Sequence, residues 1–306
     1  LFTATSAGNA RRFPADLVGE GLRQFLLPLW NTYAFFTTYA SIDRFDPAKA
    51  RDPGPQTDLD RWVLSELNRL VRDVTALMDG YNPTDAGRRI QAFVDDLSNW
   101  YVRRSRRRFW KPVPSASSGQ ALRGAEGSEN DVDKLAAHWT LYRCLTTLAK
   151  LLAPFTPFLA EEMYRNMVAS VDPDKSGPES VHLAGWPEAD ERAIDDELDA
   201  ATRLVMRVAS LGRAARQKAR LKVRQPLAQA LVKVRAPEEQ EVLQRLAPQV
   251  LDELNVKEIK LLEDESAVQE FQVRPNLPVL GPRYGKDVGK ITAALARAPA
   301  AELAAK

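Results

Sequence analysis

Residues 58–80 read DLDRWVLSELNRLVRDVTALMDG, and this stretch decides the fold class. Leu59, Trp62, Val63, Leu67, Leu70, Val71, Val74, Leu77 and Met78 stand at offsets 0, 3, 4, 8, 11, 12, 15, 18 and 19. That spacing draws one continuous apolar stripe along a helix of about five turns. Asp58 is placed to cap its start, and Gly80 with Asn82-Pro83 ends it.

The same period recurs on both sides. Ile90, Phe93, Val94, Leu97, Trp100 and Tyr101, at offsets 0, 3, 4, 7, 10 and 11, predict a second amphipathic helix. Leu135, Trp139, Tyr142, Leu145, Ala149 and Leu152 predict a third, broken at Ala153-Pro154. A fourth starts at Pro157, an apt first-turn residue, and runs through Met163 and Met167. Phe25 to Ile42 is an uncharged run of 18 residues, near the lower limit for a membrane span. Pro28, Asn31, four hydroxyl residues and the bracketing Arg23 and Asp43 make it a buried helix instead. Together these form a bundle of about five helices. Pro112–Asn130, rich in Ser, Gly and Ala and without periodicity, reads as a flexible surface loop.

The last third differs. Helical patterns at 195–212, 238–253 and 284–296 are mixed with strand-like runs at 227–234, 256–262 and 270–273, which suggests a small α+β domain. The fold class is therefore mainly α, a helical bundle over 16–190 followed by an α+β domain over 191–306. Charge shifts across the same divide. Residues 1–202 hold 24 basic and 29 acidic residues, whereas residues 203–306 hold 19 and 12. The Pro/Gly/Asp-rich stretch Asp172–Pro178 reads as the loop leading into it.

A length of 306 residues fits roughly two domains. One cysteine excludes a disulfide framework and any zinc site built on several thiolates. His138 and His182 leave little material for metal or histidine catalysis, and both read as structural; Cys144 reads as a packed helix residue. Gly281-Pro-Arg-Tyr-Gly285-Lys286 is one residue short of a phosphate loop and is followed by Asp287 rather than a hydroxyl, so it reads as a turn. No Gly-x-Ser-x-Gly elbow and no His-Glu-x-x-His occurs. No catalytic or metal-ligating residue is expected. The chain opens at Leu1, without an initiator Met or signal peptide, and its Ala-rich end has no natural stop; it reads as a piece of something longer.

The strongest local signal is basic. Arg103, Arg104, Arg106, Arg107, Arg108 and Lys111 place six cations within nine residues, directly after Trp100-Tyr101 and around Phe109-Trp110. Such crowding is offset either by intramolecular anions, with Asp95 and Asp96 nearby, or by nucleic-acid phosphates. Residues 202–225 add eight cations and no acid, among them Arg213, Arg216, Lys218, Arg220, Lys222 and Arg224. Arg213, Arg216 and Arg220 share a helical face, and the rest alternate into the following segment. Two separated basic tracts, with Trp100, Tyr101 and Trp110 as candidate stacking residues, fit an extended polyanion such as folded RNA. The acidic run Glu188–Asp199 reads as a solvated linker or a helix N-terminus.

Asp60-Arg-Trp-Val-Leu-Ser65, Asp95-Asp-Leu-Ser-Asn-Trp-Tyr101 with the arginine run ending Arg108-Phe-Trp110, and Leu152-Ala-Pro-Phe-Thr-Pro-Phe-Leu-Ala-Glu-Glu162 resemble the anticodon-binding region of isoleucyl-tRNA synthetases. Ser180-Val-His-Leu183 through Trp186-Pro187, Leu211-Gly-Arg-Ala-Ala215, Lys222-Val-Arg-Gln-Pro226 and Leu280-Gly-Pro-Arg-Tyr-Gly285 resemble the segment that follows it, and Leu1–Phe13 the stretch after the family's Lys-Met-Ser-Lys-Ser loop. The resemblance implies a catalytic-core tail over 1–15, an anticodon-binding bundle over 16–190 and a junction-like domain over 191–306. It implies tRNA of the isoleucine isoacceptors as partner, with no membrane, a cytoplasmic location and a monomeric full-length enzyme. ATP and Mg belong to that enzyme; neither the His-Ile-Gly-His signature nor the Lys-Met-Ser-Lys-Ser loop occurs here, so no cofactor and no ligase activity is expected of this chain alone. The implied tRNA contacts are the two basic tracts. A stand-alone RNA-binding adaptor and the equivalent region of valyl-tRNA synthetase are the alternatives.

Overall fold

The structure, a computed structural model, describes residues 15–110, 129–171, 177–262 and 277–297. Lys111, the expected strand at 270–273 and most of the expected loops at 112–130 and 172–178 lie outside the described residues. The chain divides into two compact units between Thr202 and Arg203.

The first unit is helical. Helix α1 (Ala15–Gly21) continues through a π-helical turn, Leu22–Leu26, into α2 (Leu27–Ile42). Helices α3 (Asp58–Asp79) and α4 (Pro83–Asp96) come next, and α4 runs through a second π-helical segment, Leu97–Val102, into α5 (Arg103–Trp110). Then come α6 (Glu129–Leu152) and α7 (Pro157–Tyr164), the latter ending in a π-helical turn, Arg165–Ala169. The stripe of α3 is the centre of the core: Trp62, Val63, Leu67, Leu70, Val71 and Val74 are buried, while Leu59, Leu77 and Met78 at its ends are half-buried. Each such side chain contributes roughly 1.5–3 kcal/mol through burial. The uncharged run at 25–42 is built into the bundle through Leu29, Thr32, Tyr33 and Phe36. Among the described residues no helix is long and apolar enough to cross a membrane.

Thr57, not Asp58, caps α3. Its side chain accepts from the Asp60 N–H at 3.1 Å, and the Asp60 carboxylate accepts from the Thr57 N–H at 3.1 Å. This reciprocal box needs an acid three residues after the cap, which only Thr57 has. Of the two readings of the acidic run, the helix N-terminus holds, with Asp196, Glu197 and Asp199 in the first turn of the helix that starts at Asp196, and the run is docked along α3. The Asp190 N–H donates to Asn68, the Asp195 N–H to Ser65, Asp196 pairs with Arg69, and Trp62 Nε1 donates to Asp199. These bonds carry the helical unit past the expected boundary near 190.

The second unit is built on α8 (Asp196–Lys218), within which the division falls. Strands β1 (Leu227–Lys233) and β2 (Val256–Leu262) pair in parallel, with Leu227 opposite Val256 and Lys233 opposite Leu262. A parallel pair needs a crossover. Helices α9 (Pro237–Arg245) and α10 (Ala247–Leu254) supply it, so the single helix expected at 238–253 is two, with Pro248 in the first turn of the second. Gly212 of α8 faces Leu254: a Cβ there would lie 2.5 Å from the leucine Cδ1. Beyond β2, α11 (Leu277–Tyr284) and α12 (Val288–Arg297) flank a 3-10 turn, Gly285–Asp287, with Gly285 at φ +41°. The glycine-proline motif thus ends one helix and turns into the next.

Candidate nucleic-acid interface

Helix α5 owes its orientation to the π-helical segment before it. An uninterrupted α-helical period from Ile90 would place Phe109 outside the buried stripe, because each residue advances about 100°. The wider turn at Leu97–Val102 takes up about one extra residue and rotates α5 back by that angle. Phe109 and Ser105 are therefore buried, and Arg103, Arg106, Arg107 and Trp110 occupy the opposite, exposed arc. Trp110 is 59% exposed. On the wheel of α5 it falls between the three arginines, an arrangement that offers cations to phosphates and an aromatic face to a base.

Two arginines of the run lie against Trp100 and one turns into the bundle. Arg104 and Arg103 hold their guanidinium carbons 5.1 and 5.9 Å from the Trp100 ring centroid. Arg103 also donates from Nε to the Asn99 carbonyl at 2.8 Å. Arg108 points in. Its Nη1 and Nη2 donate to the two carboxylate oxygens of Asp60 at 2.7 and 2.9 Å, and Nη2 reaches the Asp133 carboxylate at 2.9 Å. Asp60 is fully buried and also accepts from the Tyr101 hydroxyl at 2.9 Å and the Thr57 hydroxyl at 2.9 Å. Burial pushes its pKa up, but the Arg108, Tyr101 and Thr57 hydrogen bonds outweigh that push and hold the carboxyl below its ordinary value. The same carboxylate drives the buried Arg108 guanidinium further up despite its desolvation.

A second buried cluster lies beside it. Asp43 accepts from Lys134 at 2.6 Å and bonds His138 Nε2 at 2.9 Å. Burial pushes the His138 imidazole below its ordinary value, so it is neutral at pH 7, while Asp43 is held low against burial by His138 and Lys134. His138 stacks on Phe45 at 5.1 Å and meets the edge of Phe109 at 4.8 Å. Its neighbours Asp133 and Lys134 on α6 thus hold α5 and the end of α2 through opposite charges.

In the second unit, α8 ends at Lys218 and the segment expected to alternate is a loop over 219–226. Lys218 at the helix end and Arg220, Lys222 and Arg224 on the loop are exposed. Arg213 pairs with the buried Glu253 at 2.8 Å. Arg216 is buried at 4% exposure and donates to the carbonyls of Lys222, Gln225, Leu254 and Asn255 at 2.7–3.1 Å. It does not share an open face with Arg213 and Arg220.

The expected contact residues therefore separate. Arg103, Arg106, Arg107, Trp110, Lys218, Arg220, Lys222 and Arg224 are exposed, and Arg104 and Arg213 are half-buried. For Arg108 and Arg216 the structure corrects the expectation of a phosphate contact: both are committed to internal acceptors. Trp100 and Tyr101 are 2% and 0% exposed, so neither ring offers a face to a base. Lys111 lies outside the described residues. The anions that offset Arg108 are Asp60 and Asp133, and Asp95 accepts from Asn99. His182 stands in a 3-10 turn, and Cys144 is buried, its thiol pushed up by burial. Among the described residues no group of three or more His, Cys, Asp or Glu side chains is arranged to hold a metal ion.

Residues 60–232 match the family described as the anticodon-binding domain of tRNA ligase. Over 270 residues the chain is 56% identical to an isoleucine–tRNA ligase of Dehalococcoides mccartyi strain CBDB1, covering 88% of this chain and 25% of that protein. It is 45% identical over 288 residues to the isoleucine–tRNA ligase of Thermus thermophilus (94% and 26% covered). It is 42% identical over 305 residues to that of Deinococcus radiodurans (99% and 26% covered). The chain spans about a quarter of the length of these curated relatives.

Proposed function

Because this chain belongs to the anticodon-binding domain family of tRNA ligases, as the anticodon-binding region of an isoleucine–tRNA ligase, we propose that it grips isoleucine tRNA through the outer arc of α5. The observation that supports this most is the exposed Trp110 between Arg103, Arg106 and Arg107. All four are exposed on one arc of α5, whereas Phe109 and Arg108 of the same helix turn inward. The arginines supply phosphate contacts, which set affinity and register; Trp110 supplies a stacking surface, which contributes roughly 1–3 kcal/mol per base. The loop over 219–226 gives a second backbone contact.

Activation of isoleucine with ATP and Mg, and its transfer to the tRNA, are assigned in this reading to the rest of the longer enzyme, acting in the cytoplasm. This chain holds the tRNA in register for that chemistry. Nuclease footprinting of an isoleucine tRNA transcript on the chain tests the assignment. Protection centred on the anticodon stem and loop is expected; protection confined to the acceptor stem would contradict it.

A further inference from the structure

A basic loop that faces RNA has an inherent handicap, because its own carbonyl oxygens repel the phosphates that its cations attract. In the loop over 219–226 that handicap is removed from within. The four consecutive carbonyls from Lys222 to Gln225 are each held by an internal donor. Arg216 Nη1 donates to Lys222 and Gln225 at 3.1 and 3.0 Å. Asn255 Nδ2 donates to Val223 and Arg224 at 3.0 and 3.1 Å. The other terminal nitrogen of Arg216 bonds the Leu254 and Asn255 carbonyls at 2.7 and 3.1 Å, which ties both donors into one post. The N–H groups of Val223 and Arg224 donate to no protein acceptor among the described residues. The side chains of Lys218, Arg220, Lys222 and Arg224 are exposed around the loop.

A second observation points the same way. Arg220 sits at φ +55°, just past the end of α8. Leu221 N donates back to Arg216 O at 2.8 Å and Arg220 N to Gln217 O at 3.0 Å, the helix-ending motif whose left-handed position favours glycine. An arginine there carries left-handed strain that a glycine would not, and it places an exposed cation at the head of the loop.

We propose that Arg216 and Asn255 are positioning residues that polarise the 219–226 loop into a preformed seat for RNA backbone phosphates. The proposal rests on the tRNA-binding function of the chain. It reassigns Arg216 from phosphate ligand to scaffold and brings in Asn255, 30 or more residues from the loop it holds.

The test is a double-mutant cycle on the full chain, with the dissociation constant of an isoleucine tRNA transcript measured across salt concentrations. Asn255→Gly keeps the left-handed backbone at φ +48° and removes only the amide. It is expected to weaken binding about tenfold and to lower the salt slope by about 1, although every cation remains in the chain. Neutralising the loop with Arg220→Gln, Lys222→Gln and Arg224→Gln weakens binding and lowers the slope directly. Adding Asn255→Gly to that neutralised loop then produces no further loss, because the seat it shapes is already empty of charge. Unchanged affinity in Asn255→Gly overturns the proposal. So does an equal further loss on the neutralised loop, which would mark a general structural role. A neutralised loop that binds with unchanged affinity and slope removes the seat while leaving the α5 contact standing; a parent chain that binds no tRNA overturns both readings together.

Discussion

Arg108 meets Asp60 through both of its terminal nitrogens, at 2.7 and 2.9 Å, across 48 positions of sequence. The pair ties the basic helix α5 to the first turn of α3, where the same carboxylate completes the helix cap. One arginine of the run is thereby given to the fold, and it fixes the direction in which the others point.

Asp60→Asn preserves shape and removes the charge, leaving Arg108 buried with Asp133 as its remaining acid. A loss of about 3 kcal/mol in denaturant unfolding is expected, the scale for breaking one side of a buried ion pair. The Asp60 carboxyl is held below its ordinary 3.8, so its stabilisation is complete above that value and is lost as pH falls through the lower folded value. Acid unfolding of the variant should lack this component; an unchanged acid limb would argue against the pairing.

His138 supplies a second pH dependence, of different origin. Burial lowers its pKa from 6.5, so below that pH the unfolded chain binds a proton that the folded chain refuses. Stability should fall with acidification from about pH 6.5 by up to about 1.4 kcal/mol per unit, until the lower folded value is reached. Lys134 and Arg108 oppose protonation there and Asp43 favours it. His138→Gln should remove the slope in that window while Asp43 retains Lys134 as its partner. A slope that survives the substitution would place the titrating group elsewhere.

Gly212→Ala sets two effects against each other. Alanine gains roughly 1 kcal/mol of helix propensity, while its Cβ, 2.5 Å from Leu254, overpacks α8 against α10 at a cost of about 1–3 kcal/mol. A net loss of stability is expected in the parent chain. In a Leu254→Ala background the clash disappears and the same substitution should stabilise. Thermal unfolding of the four proteins reads the change of sign.

Arg220→Gly should relieve the left-handed strain at φ +55° and stabilise the second unit by roughly 1 kcal/mol. The same substitution should weaken tRNA binding. A variant that is more stable and binds equally well would show that the arginine has no part in the interface.

The division between legible and hidden features tracks the range of the forces involved. The stripe of α3 is readable because helical periodicity is local, and Trp62 to Val74 are buried as the spacing predicts. The π-helical turn is not readable. The apolar offsets from Ile90 run on unbroken through Tyr101, and only the burial of Phe109 shows that the phase has shifted. Arg213, Arg216 and Arg220 share a face on a helical wheel, yet Arg216 finds its acceptors on a loop and on residues 254 and 255. Charge tells which residues can bind a phosphate; the folded partners tell which of them are still exposed to do so. Asp60 and Arg108 both stand in the motifs that carry the family resemblance, but their pairing is a tertiary fact that no spacing in the chain announces.

Binding of tRNA by the outer arc of α5 is the central claim, and one measurement reads it most directly. The affinity of the chain for an isoleucine tRNA transcript is followed across salt concentrations, with and without Arg103→Gln, Arg106→Gln and Arg107→Gln together. Removing one arginine–phosphate pair lowers the slope of log affinity against log salt by about 1. A slope reduced by about 2–3 with weaker binding, in a chain that still unfolds cooperatively, is the predicted result. An unchanged slope and affinity in the triple variant would contradict it.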